Sequence, residues 1–171
     1  MNGTGWLLDS FATVGPGSTA VVDVDLSLHG TTAWVIQRDV HDRWRQSQVQ
    51  LEHDHDGNWR CAAVTDSDWE GWAALARQRP ERGWPEWGPI LGMSFASGWC
   101  GSASKPAFTS ACGIAAADVV MIEFGFVGHG RHRVIESPTG GFLIAVPEYH
   151  PDADPSLKVT YLDGTEITVS E

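Results

Sequence analysis

The sequence predicts an all-β protein, an antiparallel β-sandwich of two Greek-key-like halves with one short helical, Trp-rich insertion between two blocks of strands. About eight short segments alternate apolar with polar residues and are separated by Gly-containing turns, as is typical of sandwiches and barrels. The alternation breaks in one stretch, 66–104, which is rich in Pro, Gly and Trp. With 171 residues, the chain is long enough for a single domain, 1–171, with 66–104 as a helix-and-loop insertion.

The first predicted strand runs over residues 19–28 and pairs with the strand that follows it. Val22 and Val24 alternate along it with Asp23 and Asp25. Because successive side chains of a strand point to opposite faces, we expect the valines to face the core. The two carboxylates are then expected on the outer face, as solvated charges.

A hairpin is predicted around Asp56-Gly57, a dipeptide that suits a two-residue type I′ turn. This turn places His53 opposite Arg60 and gives one apolar face, which we expect to be the core face. That face consists of Val49, Leu51, Ala62 and Val64. Cys61 lies in the same strand pattern and is expected to be a small buried hydrophobic residue.

A second hairpin is predicted in LKVTYLDGTEITV near the end of the chain. A three-residue loop, Leu162-Asp163-Gly164, brings four apolar residues to one face, whereas a two-residue loop mixes apolar and polar partners. Those four residues are Val159, Tyr161, Ile167 and Val169. Gly164 is then expected to have a positive φ.

Two strand-and-turn patterns resemble those of a known group of proteins. GGFLIAVP (140–147) and VTYLDGTE (159–166), together with earlier strands around DGNW, are similar to patterns in small all-β proteins common in high-GC bacteria. The resemblance implies an all-β fold. It implies no particular activity and assigns no functional residue.

The insertion is predicted to begin with a helix. Ser67 and Glu70 have the spacing of a capping box, in which the Ser is the N-cap residue. The helix can continue to about Gln78 and should end before Pro80, which disfavours helical geometry in the residue that precedes it. The rest of 66–104 is expected to be a linker.

The charge of the chain restricts its partners. Eleven basic and 22 acidic residues give a net charge of −11, which disfavours nucleic acid and anionic membrane surfaces and favours a basic protein partner. No apolar run reaches the length needed to span a membrane. The first 14 residues contain no Lys or Arg and do not have the pattern of a secretory signal, so a cytoplasmic location is expected.

The cysteines leave two alternatives open. Cys100 and Cys112 flank a stretch of small and turn-forming residues that is expected to lack regular structure, and a disulfide between them would close it. The alternative is a pair of reduced thiols in a reducing compartment. A bonded pair would indicate a secreted protein.

A histidine cluster predicts a metal site. His53 and His55 are two residues apart on one predicted strand, so both imidazoles share a face, and His132 or His129 from another hairpin end could be the third ligand. A polar, solvated hairpin tip is the alternative. No phosphate-binding glycine loop or nucleophile motif occurs, so the sequence predicts no cofactor and no catalytic residue.

Tryptophan is the unusual feature of the composition. The chain has nine, and five of them fall in the insertion: Trp69, Trp72, Trp84, Trp87 and Trp99. They could be buried over one end of the sheets, form a protein-binding patch, or form a platform that stacks on sugars. We therefore expect a non-catalytic protein-interaction module that neutralises a basic partner. The alternatives are a metal-dependent hydrolase that uses the His53/His55 tip and a carbohydrate-binding module.

Overall fold

The computed structural model describes residues 14–27, 30–53, 56–68, 75–76, 78–99, 107–136, 138, 140–146, 150 and 152–170. Over these residues the fold is all-β, as predicted, with eleven strands. They are β1 (Ser18–Ser27), β2 (Gly30–Arg38), β3 (Trp44–His53), β4 (Trp59–Asp68), β5 (Ile90–Trp99), β6 (Ala107–Ala115), β7 (Val119–Phe126), β8 (Gly130–Glu136), β9 (Gly141–Val146), β10 (Pro155–Tyr161) and β11 (Glu166–Ser170). No helix among the described residues is long and apolar enough to cross a membrane.

The strands form three antiparallel sheets. Sheet 1 has the order β1-β2-β3-β4, sheet 2 the order β5-β6-β9, and sheet 3 the order β11-β10-β7-β8. Sheet 1 is therefore a simple meander, because a Greek key would return its fourth strand beside the first. The Greek-key prediction is wrong for this half of the chain.

One hydrophobic core joins the three sheets. Trp34 from sheet 1, Ile114 and Ile144 from sheet 2, and Phe124 and Leu157 from sheet 3 are all fully buried members of the same cluster. A single contiguous core is what a chain of this length is expected to build.

In sheet 1, Val22 is in the core as predicted, but the faces of β3 and β4 are reversed relative to the prediction. Gln46, Gln48, Gln50 and Glu52, which alternate along β3, are all buried, while Val64 of β4 is 51% exposed. Cys61, expected to be buried, is also exposed. Strand β3 thus directs its polar residues inward, and the expected core face of the first hairpin is its outer face.

Hydrogen bonds explain why polar residues can be buried here. The indole nitrogen of Trp34 donates to Gln46 Oε1 at 3.0 Å. Gln48 donates from Nε2 to the carbonyl oxygen of Ser94 at 3.1 Å and accepts from the hydroxyl of Ser110 at 2.7 Å. A buried polar group is tolerated when its hydrogen bonds are satisfied, so these contacts join sheet 1 to sheet 2.

The prediction that Asp23 and Asp25 are solvated charges is wrong. The backbone N–H of Leu143 donates to Asp23 Oδ2 at 2.9 Å, and that of Ala145 donates to Asp25 Oδ2 at 2.7 Å. Arg133 forms an ion pair with Asp25, which is buried. Burial raises the pKa of Asp23 above its usual value. The two carboxylates therefore occupy the edge of β9 and join it to β1.

The predicted register of the first hairpin is wrong next to its turn. Val49 lies opposite Val64 as predicted, but His53 lies opposite Trp59 instead of Arg60. A β-bulge between these pairs adds one residue to β4 and shifts the register. The connection is therefore longer than the predicted two-residue type I′ turn.

The C-terminal hairpin is confirmed. Val159 lies opposite Ile167, and the N–H of Tyr161 donates to the carbonyl oxygen of Thr165 at 2.9 Å, so the loop has the three predicted residues. Gly164 has a φ of +82°. Val159 and Tyr161 are both buried, as the expected core face requires.

The stretch 66–104 differs from the predicted helix and linker. Strand β4 continues to Asp68, so Ser67 is a strand residue and not the N-cap of a helix. Within the predicted helix, Leu75 and Ala76 are helical, and residues 69–74 and 77 lie outside the described residues. The second half of the stretch contains β5, and the supposed irregular stretch after Cys100 contains the start of β6.

Candidate functional site

The best-defined surface feature lies where three connections meet at one corner of the molecule. We call it the corner surface and define it as residues 79–89, the β6–β7 turn (116–118) and the β10–β11 loop (162–164). The N–H of Ala116 donates to Pro89 O at 2.9 Å, and that of Asp118 donates to Glu81 O at 3.2 Å. The N–H of Leu162 donates in turn to Asp118 O at 2.8 Å. Backbone hydrogen bonds therefore connect all three parts.

Arg79 anchors the start of this segment. Its guanidinium donates to the carbonyl oxygen of Ala115 at 2.9 Å and to that of Pro138 at 2.8 Å. Burial lowers the pKa of this guanidinium below its usual value. The φ of Arg79 is +30°, a conformation that is unfavourable for a residue with a side chain, so the carbonyl contacts hold the chain in it.

A tight turn projects from the segment. The N–H of Trp84 donates to Gly88 O at 2.9 Å, the N–H of Gly88 donates back to Trp84 O at 2.8 Å, and the N–H of Trp87 donates to the same oxygen at 3.1 Å. The indole nitrogen of Trp84 donates to Leu75 O at 3.1 Å, and this side chain is buried. Trp84 thus fixes the base of the turn, whose tip is Pro85-Glu86-Trp87.

The corner surface combines exposed apolar groups with negative charge. Trp87 is 43% exposed and Leu162 is 78% exposed. Glu81, Glu86 and Asp163 are also exposed. An aromatic ring on an ordered turn, in a surface that also carries exposed carboxylates, is suited to binding a basic group on a partner.

One ion pair organises the charges of this surface. Arg82 Nη1 lies 2.5 Å from Asp163 Oδ2, and its guanidinium lies 4.8 Å from the centre of the Tyr161 ring. The hydrogen bond from Arg82 lowers the pKa of Asp163 to about 2. Asp163 is therefore ionised at neutral pH, and its bond to Arg82 is lost only as the pH falls below the usual range of a carboxyl group.

The five tryptophans of the predicted patch do not share one environment in the structure. Trp84 is buried and Trp87 is exposed, so these two do not form a common exposed patch. Trp69, Trp72 and the side chain of Trp99 lie outside the described residues. The carbohydrate platform, which depends on the same rings, stays a prediction.

The predicted metal site also falls largely outside the described residues. This holds for His55 and for the side chains of His53 and His132. His129, the other suggested ligand, stacks on His150 with ring centres 4.4 Å apart. Within the part of the chain that the structure describes, no three His, Cys, Asp or Glu residues are grouped as metal ligands. The metal-dependent hydrolase stays a prediction.

Comparison with known proteins identifies no family for this chain. Protein-family models, curated protein sequences and solved structures contain no match to the chain. The function must therefore be inferred from the chemistry of the corner surface and the sheets.

The cysteines give a direct chemical test of the fold. Cys112 is a fully buried thiol with no disulfide bond, and Cys100 lies outside the described residues. Burial raises the pKa of the Cys112 thiol far above its usual value. Because the thiolate is the reactive form, Cys112 should resist alkylation in the native protein while the exposed Cys61 reacts.

We expect mass spectrometry of native Cys100→Ser protein after alkylation to show one modified thiol, at Cys61. Two should be modified after unfolding. In the parent protein, unfolding without reduction should release three thiols. A count of one thiol there would contradict the structure and favour the alternative of a disulfide between Cys100 and Cys112.

Proposed function

We propose that this protein is a non-catalytic interaction module whose corner surface binds a basic protein partner. The observation that carries the proposal is the exposed indole of Trp87, held at the tip of a hydrogen-bonded turn. Tryptophan is over-represented among the residues that dominate binding energy, because it brings a large rigid apolar area.

The rigidity of the turn supports a binding role. A partner loses less affinity to ordering when the contacting residues are already fixed before binding. Arg79, the Trp84–Gly88 hydrogen bonds and the Arg82–Asp163 ion pair all fix the segment in advance. In this proposal the three sheets stack as a β-sandwich scaffold, and the Trp-rich segment is its binding element.

The charge of the chain supports a basic partner. The net charge is −11, and the exposed carboxylates of Glu81, Glu86 and Asp163 are in the corner surface itself. Complementary charge accelerates association and suppresses binding of acidic proteins. Binding at this surface should weaken as salt is added, because salt screens exposed charges.

The test begins with the partner captured from extracts of the source cell by the wild-type protein. Once purified, that partner should bind Trp87→Ala at least about 30-fold more weakly, which corresponds to the loss of a central binding residue. Isothermal titration gives the affinity. The matched control is Val127→Ala, which changes another exposed apolar residue, at the β7–β8 turn, and should bind like the wild type.

Both variants should unfold within about 0.5 kcal/mol of the parent, because both changed residues are exposed. Equal binding by Trp87→Ala and the wild type would show that the corner surface is not the binding site. A partner that binds more tightly at high salt would contradict its basic character.

A further inference from the structure

The outer face of sheet 1 is apolar where an outer face is usually polar. One row across the four strands consists of Val24, Ala33, Val49 and Val64, which lie opposite one another in the register. A neighbouring row contains Leu51 opposite Cys61, and another contains Val21 opposite Val35. Val21, Val24 and Val64 are 45%, 43% and 51% exposed, and Val35, Val49 and Leu51 are half-buried.

This orientation of the sheet is fixed from the inside. The hydroxyl of Thr32 donates to Gln50 Oε1 at 3.0 Å, and Gln48 bonds to Ser94 and Ser110 of sheet 2. Turning the sheet over would leave these polar groups without their hydrogen bonds. The apolar face is therefore a stable property of the native fold.

We propose that a second copy of this chain packs on the outer face of sheet 1, sheet against sheet, to form a two-fold dimer. A two-fold interface uses the same patch on both subunits, so the patch must be complementary to itself. Rows of small and branched apolar side chains meet this condition, since two such faces can stack about 10 Å apart.

Charge favours this occupant over the basic partner of the corner surface. The three rows place apolar or small neutral residues at most positions. Asp66 ends the row that contains Val21 and Val35, and the next pair along the strands is Arg45 opposite Asp68. A basic protein would find few carboxylates in the centre of this face. Two chains that each carry a net charge of −11 can approach only through a surface poor in charge.

The area of the face sets the strength of the dimer. Four strands about 4.8 Å apart and three rows about 6.7 Å apart give a patch of roughly 400 Å² on each copy. Stable dimers bury about 800 Å² on each partner, and smaller interfaces are transient. We therefore expect a weak, reversible dimer whose population depends on protein concentration.

Sedimentation equilibrium of the full chain tests the proposal. The apparent mass should rise from 18.6 kDa toward twice that value as the loading concentration increases from about 5 μM to about 500 μM. Weak dimers form in this concentration range. Val64→Glu should weaken self-association at least about 30-fold, because it buries a charge without a partner. Val127→Glu adds the same charge at an exposed site outside sheet 1 and should associate like the wild type.

Salt separates this interface from the corner surface. Added salt screens the repulsion between two acidic chains and should strengthen self-association, whereas it should weaken binding of a basic partner. Trp87→Ala should dimerise normally, and Val64→Glu should still bind the partner, so either proposal can fail without the other.

Two results would overturn the dimer. A wild-type mass of 18.6 kDa at every concentration and salt level would show that a second copy does not pack on this face. The occupant of the face would then have to be a different molecule. Equal effects of Val64→Glu and Val127→Glu would show that self-association does not use sheet 1.

Discussion

Trp34→Ala should lower the free energy of unfolding by about 3–5 kcal/mol, the usual cost of removing a large aromatic side chain from a core. Trp34 is fully buried, and its ring lies where a Cβ on Gly141 would come within 3.0 Å of it. The substitution also removes the indole N–H that donates to Gln46 at 3.0 Å. Equilibrium unfolding in denaturant, followed by circular dichroism, measures the effect.

Trp87→Ala is the matched control, because it makes the same substitution at a tryptophan that is 43% exposed. It should change the free energy of unfolding by about 0.5 kcal/mol or less. Similar losses in the two variants would mean that Trp87 is a core residue or that Trp34 is not. The comparison therefore tests the assignment of core and surface tryptophans without any partner.

The sequence predicted the C-terminal hairpin correctly because the burial pattern selected one of two possible loops. The alternation around Val159 and Tyr161 required a three-residue loop, and Gly164 suited the left-handed position of that loop. Each signal is local, so neither needed information from elsewhere in the chain.

Sheet 1 could not be predicted in the same way, because its burial depends on distant residues. Gln48 is buried because Ser94 and Ser110 satisfy its amide, and Asp25 is buried because Ala145 and Arg133 contact it. A pattern of alternating polarity identifies the two faces of a strand. It does not say which face is inside when the polar face finds hydrogen-bond partners 46 to 120 residues away.

The candidate site was predicted only in part. Composition drew attention to the tryptophans, but the difference between Trp84 and Trp87 depends on which ring reaches Leu75. The anchoring roles of Arg79 and Arg82 were missed, since their contacts lie on distant turns. The Gly and Pro residues around Trp84 and Trp87 do signal a tight turn, which a linker assignment overlooked.

Gly83→Ala should be among the most damaging single-methyl additions in this chain, with a loss of about 2–5 kcal/mol from backbone strain and overpacking. Gly83 has a φ of +101°, and an added Cβ would lie 2.2 Å from the carbonyl oxygen of Gly88. That oxygen accepts the hydrogen bond from the N–H of Trp84 which closes the turn. The methyl group must therefore displace backbone rather than a flexible side chain.

Gly88→Ala separates the close contact from the cost of the left-handed conformation. Gly88 has a φ of +67°, but an added Cβ would meet nothing within 4 Å, so only about 1–2 kcal/mol should be lost. Unfolding in denaturant measures the loss of unfolding free energy in both variants. The difference between the two losses is the cost of the close contact at Gly83. Equal losses would show that the Gly83 contact can relax.

The same substitution tests whether the turn has to be intact for binding. Moving the Gly88 carbonyl displaces the tip that carries Trp87, so Gly83→Ala should weaken partner binding even at temperatures where the variant remains folded. Gly57→Ala has a comparable φ of +81° and open space around it, and it lies in another loop, so it should bind normally. If Gly83→Ala is folded and binds the partner with wild-type affinity, the partner does not require the ordered turn, and its contact with Trp87 must form by rearrangement on binding.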